Sequence, residues 1–331
     1  MHDMINYKDL GLVNTRGMFA KALKGGYAVP ACNFSHAEQL QAIIQAAVET
    51  KSPVILQVSD GSRKYIGRTL LRFMAEGAVD YAKELGCQDP QIALHLAHGV
   101  TFELCKSCID MGFSSIMIDA SHLAYEANVA LTGQVAEYAH QFDVTVEGNP
   151  GIRMYGIESD IFYKHRQFPN PEEITDFLTK TGCDSVVIHK RSRNSFNKFT
   201  DFDENGRLIP PLLSLNELEA IERQLPGLPF ALYGTSKYPP EEAETANTNG
   251  CALKKAVGIS EDILRSVAGS AVCKMDIDID SRLAMTAAIR KILIENPTEF
   301  DPRKYLGPAR DNARKLYVHK IRHVFGSDNK I

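Results

Sequence analysis

The chain has 331 residues, of which 44% are hydrophobic and 24% charged, a composition that excludes disordered, collagen-like and disulfide-scaffold proteins. Its 37 Lys and Arg against 41 Asp and Glu give a net charge of −4 without a basic run, which disfavours a nucleic-acid partner. Charges interrupt every apolar stretch before the roughly 18 residues that cross a bilayer, and the opening MHDMINYKDL lacks the apolar part of a signal peptide. We therefore expect a soluble cytoplasmic protein without membrane partners.

The seven cysteines are an odd number scattered among apolar neighbours, and this usage is typical of reduced thiols. Two of them, Cys105 and Cys108, form a C-x-x-C spacing within the stretch FELCKSCIDMGF. The apolar residues of that stretch have helical spacing, and no second cysteine pair or suitably spaced histidine completes a metal site. We therefore predict two small buried side chains on one helix face rather than zinc ligands.

Short apolar runs recur along the chain and predict eight strands. In chain order the runs are Tyr27–Asn33, Pro53–Val58, Ile92–Leu96, Ser115–Asp119, Val144–Glu147, Ser185–His189, Phe230–Tyr233 and Val272–Ile277. Amphipathic stretches such as AEQLQAIIQAAVET and PEEITDFLTKTG separate them and predict helices. Because nearly continuous apolar strands suit a parallel sheet covered by helices, eight such units predict an α/β fold closed into a (βα)8 TIM barrel. An open, doubly wound sheet is the alternative.

Neither a shift in composition nor a linker divides the chain, so we predict a single domain over residues 1–331. Two long polar connections, Gly148–Pro171 and Lys190–Ser214, each follow a strand. Loops at that end of a barrel build the functional site, and long ones are often lids. The last stretch, Asn296–Ile331, predicts a Pro-punctuated turn and an extra basic helix, packed outside the barrel or at a subunit contact.

Polar residues follow most of the predicted strands, at the end where barrels place their functional groups. They are Asn33, Ser59, His95, His98, Asp119, Ser121, His122, Glu147, Asn149, His189 to Asn194, Gly234 to Lys237 and Asp276 to Asp280. A single histidine at a strand end is more often a hydrogen-bonded core residue than a metal ligand, but the run HLAHG directly after an apolar strand favours a site.

Several segments carry a resemblance to a known family over nearly the whole chain. They are VPACNF, QVSDGSRKYIG, MIDASH, TVEGNPG, DIDIDSRLAMTAAIR and NPTEFDPRKYLGPAR. In this order they resemble the class II, zinc-dependent fructose-bisphosphate aldolases. The resemblance implies a TIM barrel, and it implies cleavage of fructose 1,6-bisphosphate to dihydroxyacetone phosphate and glyceraldehyde 3-phosphate. In that family three histidines hold a Zn²⁺ that polarises the ketone.

The residues that such chemistry needs are largely replaced. The family's H-x-D-H-G reads HLAHG here, so His98 matches a metal ligand whereas Ala97 replaces the aspartate that handles the hydroxyl proton. Alignment places Asn194 and Tyr233 where the second and third zinc histidines belong. Because catalytic zinc normally needs three protein ligands, we predict an empty inherited site and no cofactor.

The resemblance also assigns ligand-binding and proton-transfer positions. Those matching the family's substrate and phosphate contacts are Asn33, Ser59, Gly234, Ser236, Asp278 and Arg282, with Lys237 as a further basic candidate. Glu158 matches an acidic residue given a proton-transfer role, and Arg282 matches an arginine that reaches across a dimer. Two positions differ, because Asp276 replaces a substrate-holding amide and Ile279 a phosphate-binding hydroxyl. We expect a homodimer with a site for a phosphorylated sugar or another small anion.

We therefore expect a divergent family member that lacks standard aldol cleavage and acts as a binding protein or partner subunit. Two enzymatic alternatives remain open. One is an active aldehyde-lyase with a rebuilt metal site, in which His98 is joined by His95, His122, Glu147, His189 or Asp276. The other is a metal-free enzyme in which Lys190 or Lys237 forms a Schiff base with a carbonyl substrate.

Overall fold

Eight parallel strands close into a barrel in which each strand pairs with its neighbours in chain order and the eighth returns to the first. The computed structural model describes residues 4–151, 168–189, 215–236, 239–253 and 258–331. The strands are β1 Val29–Asn33, β2 Val54–Ser59, β3 Ile92–Gly99, β4 Ser115–Ile118, β5 Thr145–Gly148, β6 Ser185–His189, β7 Phe230–Tyr233 and β8 Val272–Ile277. The predicted (βα)8 TIM barrel is confirmed, and the open sheet is wrong.

Helices cover the outside of the barrel. Within the described residues they are α1 Thr15–Gly25, α2 Ala37–Thr50, α3 Asp60–Ile66, α4 Arg68–Glu84, α5 Phe102–Ile109, α6 Tyr125–His140, α7 Pro171–Thr181, α8 Leu215–Gln224, α9 Pro240–Thr248, α10 Glu261–Ala268, α11 Ile279–Glu295 and α12 Pro302–His319. Polar caps fix several starts, as in α7, where Asn170 and Glu173 exchange hydrogen bonds in a capping box. None of the described helices is long and apolar enough to cross a bilayer.

Helix α1 closes the amino-terminal end of the barrel. Its buried residues Met18, Phe19 and Ala22 join a cluster with interior side chains of four strands. The strand residues of this cluster are Val29, Ala31, Ile55, Ala93 and Cys273. Because these side chains fill the interior at this end, the polar groups in the middle of the barrel lie above a packed apolar floor.

The larger apolar core lies between the strands and the surrounding helices. Cys105 and Cys108 of α5 are fully buried in it, and both are free thiols. Burial raises the pKa of Cys105 well above its usual value and that of Cys108 to about 12, so both stay protonated and unreactive. The prediction of two buried structural cysteines is confirmed.

The carboxyl-terminal segment adds helix α12 and a short π-helix, Lys320–Phe325, to the barrel. Helix α12 packs against α2 and α11, as expected for an extra terminal helix outside the barrel. Lys320 and Asp280 form a buried ion pair with Nζ and Oδ2 3.1 Å apart, which ties the π-helix to α11. The chain then ends against α2, since the Ile331 N–H donates to the Lys51 carbonyl.

A polar clamp joins the amino-terminal segment to the turn before β5. The Asp143 carboxylate forms ion pairs with Lys8 at 2.9 Å and Arg16 at 2.7 Å, and these contacts lower its pKa to about 2. Asp143 also has a φ of 59°, a left-handed conformation that Asn tolerates as well as Asp.

We expect Asp143→Asn to lower the free energy of unfolding at pH 7 by about 0.5–1 kcal/mol, a small effect because the ion pairs are solvent-screened. The lowered pKa makes this stabilisation complete above the unfolded value of about 3.9, and it is lost as pH falls towards about 2. Urea unfolding of both proteins between pH 7 and pH 3 measures this difference. A gap that widens on acidification would contradict the assignment.

Candidate functional site

A bulge near the end of β3 sets the position of the one histidine that matches a zinc ligand. The pairing of β3 with β4 shifts between Leu96 and Gly99, and His98 within the shift has a φ of 52°. Its side chain is 44% exposed at the mouth of the barrel. Gly99 is required beside it, because a Cβ there would lie 2.7 Å from Cys105 Sγ and 2.8 Å from the Met117 carbonyl oxygen. The bulge therefore directs His98 towards the mouth.

His98 contacts a carboxylate and an aromatic ring. Its Nδ1 lies 3.2 Å from Asp119 Oδ2, and its ring centroid is 4.9 Å from that of Tyr233. The other Asp119 oxygen accepts hydrogen bonds from Ser121 Oγ at 2.7 Å and Asn149 Nδ2 at 3.0 Å. Strand ends β3, β4, β5 and β7 thus bring one polar cluster together at the mouth, as the sequence predicted for that end of the barrel.

The middle of the barrel holds a buried lysine whose hydrogen-bonding capacity is fully used. Lys274 Nζ donates to both carboxylate oxygens of Glu147 at 3.1 Å, to the Tyr233 hydroxyl oxygen at 2.7 Å and to His95 Nε2 at 2.9 Å. These three groups match the three protons of an ammonium. His95 Nδ1 then donates to Ser115 Oγ at 2.9 Å, because its other ring nitrogen accepts from Lys274.

Burial controls the protonation of this network. Burial and the neighbouring Lys274 ammonium lower the pKa of His95 far below its usual value, so the imidazole is neutral. Burial, with the nearby Glu147 carboxylate, raises the pKa of Tyr233 well above the usual value for a phenol. Burial lowers the pKa of Lys274, and the attraction of Glu147 opposes that effect. At neutral pH the site therefore presents a neutral phenol and a neutral imidazole beside an ion pair.

A register shift explains how this lysine reaches the interior. In the pairing of β7 with β8, Phe230 lies opposite Val272 whereas Ala231 lies opposite Lys274, which leaves Cys273 as an extra residue. Cys273 packs into the apolar floor of the barrel, and Lys274 directly above it also faces inward. Simple alternation along the strand would have placed two successive residues on opposite faces.

The described residues do not fit the zinc that the family resemblance implies. Ala97 contributes a methyl group to an apolar cluster, and the Tyr233 hydroxyl already accepts a hydrogen bond from Lys274. His98 and Asp119 could offer one nitrogen and one oxygen, which is short of the three protein ligands of a catalytic zinc. Across the described ranges no group of three His, Cys, Asp or Glu side chains is spaced to hold a metal ion.

Other positions singled out by the sequence are placed as follows. The Ser59 hydroxyl caps α3 by accepting from the Ser62 N–H at 3.1 Å, and Asn33 Oδ1 lies 3.5 Å from Gln57 Nε2. His95 and Glu147 belong to the lysine network rather than to the His98 cluster. His122 is exposed.

Most of the two long loops lie outside the described residues. Four candidate residues of the sequence analysis also lie there, namely Glu158, Lys190, Asn194 and Lys237.

The loop after β7 lies against the end of β8. The Thr235 N–H donates to Asp276 Oδ1 at 3.0 Å, and the Thr235 hydroxyl lies 2.8 Å from the same oxygen. The Ser236 hydroxyl oxygen accepts from the Asp278 N–H at 2.7 Å. Arg282 forms an ion pair with Asp278 at 2.7 Å, one turn earlier in its own chain. The predicted ligand-binding residues of this loop therefore lie together, and two carboxylates lie among them.

The surroundings of Asp278 disfavour the charged form of its carboxyl group. Burial raises its pKa to about 6, the neighbouring carboxylates of Asp276 and Asp280 add to that effect, and Arg282 only partly offsets it. A raised pKa means that Asp278 costs stability when ionised, so its contribution is favourable at low pH and is lost as pH rises through about 6.

We therefore expect Asp278→Asn to raise the free energy of unfolding by about 1–2 kcal/mol at pH 8 and to change it little at pH 4. Chemical denaturation of the variant and the parent protein at both pH values tests this. Equal effects at pH 4 and pH 8 would show that Asp278 is not the titrating group.

Sequence reasoning missed two contacts that define the site. Lys274 carried no assigned role, yet it organises His95, Glu147 and Tyr233. The sequence pattern also gives no sign that the Thr235 N–H donates to Asp276. A lysine within a largely apolar strand was the available signal, because a buried ammonium needs a carboxylate, and Glu147 at the end of β5 faces it across the barrel interior.

Comparison with known proteins gives the same family over almost the whole chain. The family described as Fructose-bisphosphate aldolase class-II matches residues 13–330. A fructose-bisphosphate aldolase from Treponema pallidum (strain Nichols) is 54% identical over 330 residues, which cover 98% of this chain and 99% of that protein. A fructose-bisphosphate aldolase from Giardia intestinalis is 37% identical over 316 residues, covering 96% and 93%.

Solved structures share the architecture. The YdjI aldolase from Escherichia coli K12 superposes with a TM-score of 0.70 at 22% identity, covering 96% of this chain and 99% of that one. Fructose-bisphosphate aldolase from Campylobacter jejuni gives a TM-score of 0.67 at 18% identity, covering 99% and 100%. At these identities the structures establish the barrel fold, and the sequence matches establish the family. The chain belongs to the class II fructose-bisphosphate aldolase family.

Proposed function

We propose that this family member binds a small carbohydrate-type ligand at the barrel mouth without zinc-dependent cleavage of fructose 1,6-bisphosphate. The observation that carries the proposal is the engagement of Tyr233, whose hydroxyl oxygen lies 2.7 Å from Lys274 Nζ where the resemblance expects a metal-binding imidazole. Ala97, at the end of β3, supplies no carboxylate for proton transfer.

Aldol cleavage requires an electrophile that polarises the ketone and a base that takes the proton of the hydroxyl group that becomes the aldehyde carbonyl as the C–C bond breaks. Lys274 is a poor replacement for the electrophile, since its ammonium already donates hydrogen bonds to Glu147, Tyr233 and His95 below the mouth. Its burial also argues against nucleophilic attack on a carbonyl substrate, because the side chain is only 1% exposed.

Binding is supported by the polar groups that remain at the mouth. His98, Asp119 and Asn149 form a connected cluster there, and Ser236 and Asp278 follow the ends of β7 and β8. Carboxylate, amide and imidazole groups suit the hydroxyl groups of a sugar. A few polar groups that converge at a barrel mouth are typical of small-molecule sites.

Metal analysis together with a coupled aldolase assay on the purified full-length protein tests the proposal. After incubation with zinc and removal of excess metal, we expect well under one zinc per chain and no cleavage above the protein-free control. The Treponema protein, which is 54% identical and named a fructose-bisphosphate aldolase, provides a positive control. Stoichiometric zinc with substantial cleavage would reject the proposal.

An active lyase with a rebuilt metal site is the second candidate. The 54% identity to a protein named fructose-bisphosphate aldolase supports it, as does the 3.2 Å approach of His98 Nδ1 to Asp119 Oδ2, since imidazole and carboxylate are both metal ligands. This candidate predicts cleavage that a chelator abolishes and that His98→Ala removes. Activity that survives both treatments would exclude it.

A further inference from the structure

Two exposed histidines lie side by side where α12 meets the π-helix. His319 is the last residue of α12, and His323 follows four positions later within the π-helix. Residues four apart on a helix are neighbours on one face. The two ring centroids are 5.1 Å apart, and the ring planes are tilted by 39°. This histidine pair belongs to the carboxyl-terminal segment and shares no residue with the barrel mouth.

The ring separation of the histidine pair is that of two imidazoles on one metal ion. An imidazole nitrogen binds Zn²⁺ at about 2.0–2.1 Å, which places the ring centroid about 3.2 Å from the ion. For angles at the ion of about 90–109°, two such centroids lie about 4.5–5.2 Å apart. Since the observed separation is 5.1 Å, the backbone already holds the rings at the spacing of a chelating pair.

A carboxylate sets the tautomer of His319. Glu261 Oε2 lies 2.8 Å from His319 Nε2, and because a carboxylate only accepts, Nε2 carries the proton. In the neutral imidazole the lone pair is then on Nδ1, which is the nitrogen that can bind a metal. A carboxylate behind a histidine is the usual arrangement that orients a metal ligand and raises its basicity. Glu261 is therefore placed to support His319 rather than to bind the ion itself.

The basic residues next to the histidine pair are themselves paired with carboxylates. Lys320 Nζ lies 3.1 Å from Asp280 Oδ2, and a guanidinium nitrogen of Arg322 lies 3.5 Å from Glu49 Oε1. The carboxylate of Glu261 adds a negative charge beside the pair. Because these carboxylates offset the nearby positive charges, a dication can approach the two imidazoles.

We infer that His319 and His323 form a surface site for a late first-row transition-metal ion such as Zn²⁺. Two imidazoles are fewer than the three protein ligands of a catalytic zinc, so water completes the coordination and the ion is held reversibly. The bound ion joins the end of α12 to the π-helix. It stabilises the folded carboxyl-terminal segment, because a ligand that binds only the folded state raises the stability of that state.

Isothermal titration calorimetry of the full-length protein with Zn²⁺, in a buffer that does not bind metals, tests this inference. We expect His319→Ala and His323→Ala each to weaken Zn²⁺ binding at least about tenfold, because even the loss of an outer partner of a ligand costs about 10–100-fold. His140→Ala is the matched control, since His140 Nε2 also lies 2.8 Å from a carboxylate, that of Asp184. It ends α6, between β4 and β5, and so lies across the barrel from the histidine pair.

Thermal unfolding with and without metal gives a second readout. Zn²⁺ should raise the unfolding temperature of the parent protein and of the His140→Ala variant more than that of the His319→Ala or His323→Ala variant. Mg²⁺ should have no such effect, because it prefers oxygen ligands to imidazole. Unchanged Zn²⁺ affinity in either variant of the pair would overturn the inference, as would an equal loss of affinity in the His140→Ala control.

The inference goes beyond the proposed function and does not depend on it. A site of two imidazoles releases zinc when excess metal is removed, so the zinc content expected for the proposed function stays well under one per chain. Zinc-dependent cleavage by the parent protein would reject the proposed function alone. Equal Zn²⁺ affinities in the parent protein and the two variants of the histidine pair would reject the surface site alone.

Discussion

Lys274→Met is expected to lower the free energy of unfolding by about 3–5 kcal/mol, because it leaves the Glu147 carboxylate buried without its cation. Both side chains are nearly inaccessible, with exposed fractions of 1% and 2%, so solvent cannot compensate for the loss. The replacement keeps the length of the side chain and removes the charge. Urea denaturation followed by circular dichroism measures the change.

The double variant Lys274→Met with Glu147→Gln is the control for this prediction. Because it removes both charges together, it should recover a substantial part of the stability that the single variant loses. If the single variant unfolds at the same urea concentration as the parent protein, the ion pair is not a stabilising element of the barrel.

Restoring the residues that the family resemblance calls for should restore metal binding and then catalysis. Asn194→His with Tyr233→His adds two imidazoles to His98, and we expect zinc to rise towards one per chain. Adding Ala97→Asp should raise the cleavage rate about 10²–10⁴-fold over that double variant, which is the usual contribution of a positioned acid or base. Metal analysis and the coupled assay give the two readouts.

The order in which zinc binding and cleavage return shows which residues account for each loss. Zinc binding without cleavage in the double variant, followed by cleavage in the triple variant, would assign separate losses to the ligands and to position 97. Asn194→His alone, with Tyr233 retained, is the control that should bind little zinc. If the triple variant binds zinc stoichiometrically but cleaves no substrate, the carboxylate at position 97 does not account for the missing activity.

Most of the fold followed from the sequence, because strand periodicity and length survive in a buried parallel sheet. The predictions Ser185–His189, Phe230–Tyr233 and Val272–Ile277 coincide with β6, β7 and β8. The prediction for β3 stopped at Leu96, whereas the strand continues to Gly99. Its last residues form a bulge around His98, and polar or glycine residues in a bulge lack the apolar alternation that marks a strand.

The site was less accessible to sequence reasoning than the fold. Polar residues were correctly expected at the strand ends, but the contact of Lys274 with Glu147 joins residues 127 positions apart and depends on closure of the barrel. The extra residue Cys273 also breaks the alternation that would indicate which way Lys274 points. Similarly, the hydrogen bonds of Thr235 to Asp276 depend on the register between two strands.

The anchoring of the chain end has a practical consequence for ligand screening. The backbone N–H groups of Asn329 and Ile331 donate to the carbonyls of Thr50 and Lys51 at the end of α2. Residues Ser52 and Pro53 lead from there into the start of β2, so the last residue lies at the opposite end of the barrel from the His98 cluster. A biosensor chip coupled through a carboxyl-terminal tag would therefore hold the mouth towards the flowing solution.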